Sequence, residues 1–245
     1  MERIVVITGA GAGLGRAIAH YFGSKGDRVI LLGRTLAKVE QAASEIAKAS
    51  AVECDVSSAA SVEAAFARIG EDHGRIDVLI NNAATYEPFR VADATDEQIM
   101  APALTNYVGP ILTARAAIPL MQPGSQIINI SSESAVIDYP MLSLYESSKA
   151  GFERFSHALG KELKDQGIRV TTVRAGSMYD EHAAMPAHWN PQAAREFHEL
   201  ATKAGIDLRG RPKSHFRSVA EVVHGLTVLP ADVTVPLIQL DGFKS

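Results

Sequence analysis

Two tyrosine–lysine pairs stand four residues apart in this chain, Tyr145–Lys149 and Tyr21–Lys25. On a helix, positions four apart share a face. An ammonium beside a phenol favours the phenolate and lowers its pKa from about 10. A tyrosine so placed can give or take a proton near neutral pH. The spacing occurs twice, so spacing alone does not select a site. Tyr21 falls on a helix-like segment directly after a glycine-rich stretch and is expected to pack in the core. Tyr145 has Ser132 thirteen residues before it, at the C-terminal end of an expected strand. Ligand sites of α/β proteins form at such strand ends.

The glycine-rich stretch is Thr8-Gly9-Ala10-Gly11-Ala12-Gly13-Leu14-Gly15, between an apolar run and a helical pattern. Glycine lets the backbone turn sharply and approach a pyrophosphate, while the following helix offers free N–H groups. The literal G-x-G-x-x-G spacing is absent, because it would need glycine at Leu14. The spacing present is Gly9, Gly13 and Gly15, and its place between strand and helix favours a dinucleotide loop over a bare turn. At the end of the second strand, an NAD site would carry Asp or Glu for the ribose 2′-hydroxyl. Gly33-Arg34-Thr35 stands there instead. The Arg34 guanidinium can pair with a 2′-phosphate and Thr35 can donate a hydroxyl. NADP(H) is therefore favoured over NAD(H), and over the bland reading of Arg34 as a solvated helix-start residue.

These residues need a scaffold, and the hydrophobic pattern predicts one. Strands are expected at Ile4–Ile7, Val29–Leu32, Ala51–Cys54, Val78–Ile80, Gln126–Ile130, Arg169–Val173 and Leu237–Leu240. Helices are expected at Leu14–Lys25, Leu36–Lys48, Ser61–Glu71 and Ser143–Lys164, with a long one over Asp96–Met121 that Pro102 and Pro110 must bend or interrupt. Apolar strands separated by helices indicate a parallel sheet covered on both faces. The expected fold class is thus α/β, a Rossmann-type doubly wound parallel sheet of about seven strands with helices on both faces. Without repeats or a linker-like stretch, residues 1–245 read as one domain. Residues 177–217 break the rhythm and read as a substrate-loop insertion.

Bulk properties narrow the function class. The 245 residues are 47% hydrophobic and 21% charged, with a net charge of −4. That balance is ordinary for a soluble enzyme and argues against nucleic-acid binding. The single cysteine, Cys54, excludes an internal disulfide and cysteine-based zinc sites. No membrane-spanning run or signal peptide is read, so the cytoplasm is the expected compartment.

The ordered set Thr8-Gly9-x-x-x-Gly13-x-Gly15, Asp55-Val56, Asn81-Asn82-Ala83, Asn106, Ser132 and Tyr145 with Lys149 resembles the classical short-chain dehydrogenase/reductase family over nearly the whole chain. The resemblance implies a reversible reduction of a small carbonyl substrate to an alcohol, with Tyr145 as general acid/base and Ser132 polarising the carbonyl. It implies that Lys149 holds the nicotinamide ribose and lowers the pKa of Tyr145, and that Asn106 orders a relaying water. Asp55 and Val56 would contact the adenine, and Asn82 the adenosine side. Thr8, Gly9, Gly13, Leu14, Gly15, Arg34, Thr35, Ala83 and Gly176 join them as expected cofactor contacts, together with Tyr145 and Lys149. A homotetramer or homodimer packed through the two long helices is implied as well. The chain departs from the family pattern at Ala84, Ala175, Ser177-Met178 and Phe243, which bear on geometry near the nicotinamide and in the following loop.

His182, His188 and His198 cluster in the insertion, but His-Glu-x-x-His would need histidine at Thr202, so no metal site is expected. No G-x-S-x-G supports a serine hydrolase. The basic run Leu208–Lys213 could meet an anionic substrate but reads better as a solvated loop. A non-catalytic NADP(H) sensor, or an epimerase that borrows the nicotinamide, stays open on the same scaffold.

Overall fold

The computed structural model describes residues 2–181 and 189–244. In chain order the first half contains β1 (Ile4–Thr8), α1 (Gly13–Ser24), β2 (Arg28–Gly33), α2 (Leu36–Ser44), β3 (Ala49–Glu53), α3 (Ala59–His73) and β4 (Val78–Asn81). The second half contains α4 (Asp96–Pro102), α5 (Gly109–Ala117), β5 (Gln126–Ser132), α6 (Ser143–Glu162) and β6 (Arg169–Ala175). The short β7 (Met178–Tyr179), α7 (Pro191–Lys203), β8 (Ser214–His215), α8 (Phe216–Thr227) and β9 (Leu237–Leu240) complete it. No helix among the described residues is long and apolar enough to cross a membrane.

Seven strands pair in parallel in the order β3-β2-β1-β4-β5-β6-β9. This is the expected single-domain Rossmann-like sheet. Side chains alternate across a strand, so β1 feeds two cores. Val5 and Ile7 pack with Leu14, Ile18 and Phe22 of α1 and Val219 and Val223 of α8. Ile4 and Val6 pack on the other face with Phe66 and Ile69 of α3 and Leu159 of α6. The strand order reverses between β1 and β4, which opens a crevice at their C-terminal ends. A buried polar chain holds that half of the sheet. Asn81 donates to Asn129 Oδ1 at 3.0 Å, Asn129 to Ser156 Oγ at 2.8 Å, and Thr113 to Asn81 Oδ1 at 2.6 Å.

Several boundaries differ from expectation for identifiable reasons. Helix α2 ends at Ser44 rather than Lys48, because β3 pairs with β2 from Ala49 and claims the chain two residues early. Lys48 makes the turn at φ +62°. The long helix is four pieces: α4 runs into a π-helical stretch over Ala103–Val108, α5 follows with Pro110 in its first turn, and a 3-10 turn over Ile118–Leu120 ends it. Pro102 and Pro110 each lack an N–H, and the wider π turn accommodates the mismatch. Strands β5 and β6 run on to Ser132 and Ala175, since Ser131 pairs with Arg174 and Ser132 with Ala175. The insertion contains α7, a helix that the reading of residues 177–217 as a loop did not anticipate. His182 and His188 lie outside the described residues, and His198 is exposed on α7.

Candidate active site

Ser132 is the last residue of β5, and the next turn brings Ser134 back upon it. The Ser134 hydroxyl donates to Ser132 Oγ at 2.9 Å, and the Ser134 N–H to the same oxygen at 3.2 Å. Both hydroxyls lie beside the phenol of Tyr145, which projects from the first turn of α6, and both act to lower its pKa. Burial pushes the Tyr145 pKa up to about 12 against the lowering effect of Ser132. Lys149, one turn further along α6, is 2% exposed and donates from Nζ to the Ile130 carbonyl at 2.9 Å. Burial brings its pKa down to about 8, opposed by Glu153. The ammonium lies 5.9 Å from the Tyr145 ring centroid. The expected lowering of the Tyr145 pKa by Lys149 is therefore absent here. Both groups are desolvated, and desolvation favours the neutral form of each.

Asn106 sits in the π stretch and is fully buried. Its Oδ1 accepts from Thr85 N at 2.8 Å, and its Nδ2 donates to Thr85 O at 2.8 Å and to Ser148 Oγ at 3.1 Å. Ser148 Oγ in turn donates to the Tyr145 carbonyl at 2.6 Å. The side chain thus clamps the strand-end loop to α6, one turn from the Tyr145 phenol. Tyr21–Lys25, the other pair, lies elsewhere, with Lys25 Nζ 5.0 Å from the Tyr21 ring centroid and the ring against the α1–α8 core.

A cleft of about 1640 Å³ runs from the glycine loop past Tyr145 to Trp189. Gly9, Gly13, Leu14, Arg34, Asp55, Val56, Asn82, Ala83 and Gly176 line it, with Ser132, Tyr145 and Lys149. Thr8, Gly15, Thr35 and Asn106 are not on its wall; Thr35 is exposed at the start of α2, and the other three support the wall from behind. Thr8 Oγ1 accepts from the Asn82 and Ala83 N–H groups, both at 3.0 Å, and Asn82 Nδ2 returns a bond to Thr8 O at 3.0 Å. Gly9 has φ +66°, and at Gly15 a Cβ would lie 2.4 Å from Gly9 O. These glycines let the loop fold flat against the Asn82 strand end. The N-terminus of α1 has no side-chain cap, and Gly13 and Leu14 of its first turn line the cleft, as an anion site would require. Arg34 is exposed on the wall and makes no ion pair among the described residues. Asp55 Oδ1 accepts from Ser57 N and Oγ. The cradle thus suits a dinucleotide.

Four further residues shape the cleft and were not singled out from sequence as site residues. Tyr86 packs its ring on Tyr145, with centroids 5.1 Å apart and planes at 35°. Glu133, beside Ser132, is 7% exposed and ion-pairs with Arg211. Tyr139 donates its hydroxyl to Glu133 Oε1 at 2.9 Å and accepts from Arg211 Nη1 at 2.7 Å. The basic run is therefore not uniformly solvated: Arg209 and Lys213 are exposed, whereas Arg211 turns inward to meet the buried carboxylate. Gly242 allows this, because a Cβ there would meet the Pro212 carbonyl carbon and the Lys213 nitrogen at 2.4 Å.

Arg211→Met leaves Glu133 buried with Tyr139 as its remaining side-chain donor among the described residues. Such a carboxylate costs about 1–3 kcal/mol, and urea unfolding at neutral pH should show that loss. Adding Glu133→Gln should restore most of it, as expected for coupled neighbours. A loss under about 0.5 kcal/mol would place the pair with solvated surface bridges.

The short chain dehydrogenase family profile matches residues 3–190. Carbonyl reductase family member 4 of Danio rerio is 28% identical over 247 residues, covering 99% of this chain and 98% of the relative. An uncharacterized oxidoreductase of Staphylococcus aureus is 31% identical over 194 residues, covering 78% of this chain and 83% of the relative. Among solved structures, an alcohol dehydrogenase from the archaeon Thermococcus sibiricus complexed with 5-hydroxy-NADP superposes with a TM-score of 0.81 at 23% identity. That match covers 99% of this chain and 97% of the other.

Proposed function

The chain belongs to the short-chain dehydrogenase family of oxidoreductases, and on that premise we propose that it is an NADPH-dependent carbonyl reductase in which Tyr145 supplies the proton. The observation that carries the reading is the hydroxyl cluster of Ser132, Ser134 and Tyr145 beside the buried Lys149. Burial keeps the phenol protonated at neutral pH, so Tyr145 begins the reaction as an acid. A carbonyl oxygen seated between Ser132 and Tyr145 receives two donors, which stabilise negative charge as it develops there. The bound nicotinamide supplies the hydride.

After Tyr145 gives up its proton, Lys149 is the nearby group able to restore it. Its pKa of about 8 leaves it protonated at pH 7 yet ready to release a proton. Asn106 acts as a positioning residue in this reading, fixing Thr85 and Ser148 around the turn of α6 that bears Tyr145. The glycine loop and the uncapped end of α1 hold the pyrophosphate, and Arg34 pairs with the 2′-phosphate.

Carbonyl-dependent oxidation of NADPH across a ketone and aldehyde panel tests the function. The cofactor assignment has its own test. Wild type should prefer NADPH to NADH in kcat/KM by about 10²-fold, the value of one charge-assisted bidentate pair of about 1.5–3 kcal/mol. Arg34→Asp should erase or reverse that preference. A wild type that prefers NADH would sink the 2′-phosphate assignment.

A further inference from the structure

Resting on the carbonyl-reductase reading, we infer that the substrate end of the cleft recognises an uncharged aryl ketone through a wall formed by Tyr86 and Trp189. The aromatic side chains there are ordered relative to the catalytic phenol. The Tyr86 ring lies 5.1 Å from the Tyr145 ring, and the Trp189 indole stands edge-on to Tyr86 at 5.1 Å and 88°. Phe197 of α7 backs the indole at 6.4 Å and 87°. Trp189 Nε1 donates to the Tyr86 carbonyl at 2.8 Å. That bond satisfies the polar edge of the indole, so the remainder of the ring acts as apolar surface. Tyr86 keeps 40% of its surface exposed, although it lies beside the reacting hydroxyls.

A ring conjugated to a carbonyl is coplanar with it. When the oxygen sits between Ser132 and Tyr145, such a ring extends directly beside the oxygen. Tyr86 is the aromatic surface adjoining Tyr145, so the ring reaches it without bending. Offset or edge contacts between rings add to simple burial, which a saturated ring of the same size lacks.

Charge narrows the class further. Lys149 is buried and held on the Ile130 carbonyl; further along this end, Arg211 is a cation that buried Glu133 neutralises. Glu87 lies with Tyr86 and Tyr145 and adds negative charge. A carboxylate on the ring that extends from the reacting hydroxyls would meet a neutralised arginine and an acid, so it is selected against by repulsion.

The chain has one tryptophan, so intrinsic indole fluorescence reports from Trp189 itself. Full-length protein saturated with NADP⁺ is titrated with acetophenone, with cyclohexyl methyl ketone and with 4-acetylbenzoate, using competition where a ligand does not quench. Acetophenone should bind roughly tenfold more tightly than its saturated analogue, and the benzoate should bind least well. Tyr86→Leu should remove that advantage while leaving affinity for the saturated ketone nearly unchanged. Trp189→Leu, read by kcat/KM with NADPH, should lower reduction of acetophenone roughly tenfold and spare the saturated ketone. Equal affinity for the two neutral ketones, or tighter binding of the benzoate, overturns the inference. Reduction of both neutral ketones at equal kcat/KM overturns it while leaving the reductase reading intact. The aryl preference in binding with no turnover of any ketone would instead sink the reductase reading and support the recognition surface.

Discussion

Replacing Tyr145 with phenylalanine is expected to lower carbonyl-dependent NADPH oxidation by about 10³-fold, with NADP⁺ affinity nearly unchanged. The variant keeps the ring that packs on Tyr86 and removes only the hydroxyl that Ser132 and Ser134 hold. Ser132 can still polarise a carbonyl, so residual activity from polarisation and positioning should remain. What is lost is the proton. In wild type the phenol's pKa of about 12 keeps it protonated throughout the neutral range. Ionisation of Tyr145 therefore should not limit reduction at ordinary pH. A decline in the reductive rate should instead be centred near pH 8, where Lys149 has lost half its charge. Near-wild-type turnover of a folded Tyr145→Phe protein would remove Tyr145 from the chemistry.

Lys149→Met is expected to act in two opposite directions. Turnover should fall by orders of magnitude, because the proton that restores Tyr145 loses its source. Stability should rise. Holding a lysine at about 8 instead of its ordinary 10.5 corresponds to about 3 kcal/mol of burial penalty at pH 7. Loss of the charged bond to the Ile130 carbonyl gives back about 1.5–3 kcal/mol, which leaves a net gain of up to about 2 kcal/mol. The pH dependence fixes the cause. Because the folded pKa is depressed, the unfolded chain binds more protons than the folded one between about 8 and 10.5, so wild-type stability from this group rises across that window. The advantage of the variant should therefore be full below pH 8 and shrink as pH climbs. Tyr145 titrates in the opposite sense, its folded pKa being raised from 10 to about 12, so the comparison is cleanest below pH 10. Urea unfolding at pH 7 and pH 9.5 reads the effect. A variant less stable than wild type at pH 7 would show that the Ile130 bond outweighs desolvation.

Much of this site was legible because its demands are local. Gly9 needs a positive φ and Gly15 a missing Cβ, and both needs are written as residue types between a strand and a helix. Ser132 and Tyr145 lie at the end of a strand and the start of a helix, and the hydrophobic pattern shows where those ends fall. The pKa values were not legible in the same way. Spacing says that Tyr145 and Lys149 share a helix face, but the depth of their burial is a property of the assembled sheet, and burial reversed the expected shift on Tyr145. The Glu133–Arg211 pair was hidden because 78 residues separate its members. A basic residue in a polar run carries no mark of a distant buried carboxylate. Tyr86 was equally unmarked, since only the folded loop lays it on Tyr145. The prolines at 102 and 110 did announce a broken helix. The π stretch that carries Asn106, and the clamp it forms on Thr85, depend on tertiary packing that no spacing rule encodes.

The central claim is tested most directly by the fate of a label. NADPH carrying two deuterium atoms at nicotinamide C4 is incubated with wild-type enzyme and acetophenone, and the alcohol is analysed by mass spectrometry. The expected result is 1-phenylethanol with one deuterium on its carbinol carbon for each NADPH oxidised, at a rate that collapses in Tyr145→Phe. Saturable binding of NADPH with no deuterium in any alcohol, across acetophenone and a panel of other ketones and aldehydes, would contradict it and mark the protein as a nucleotide binder rather than a reductase.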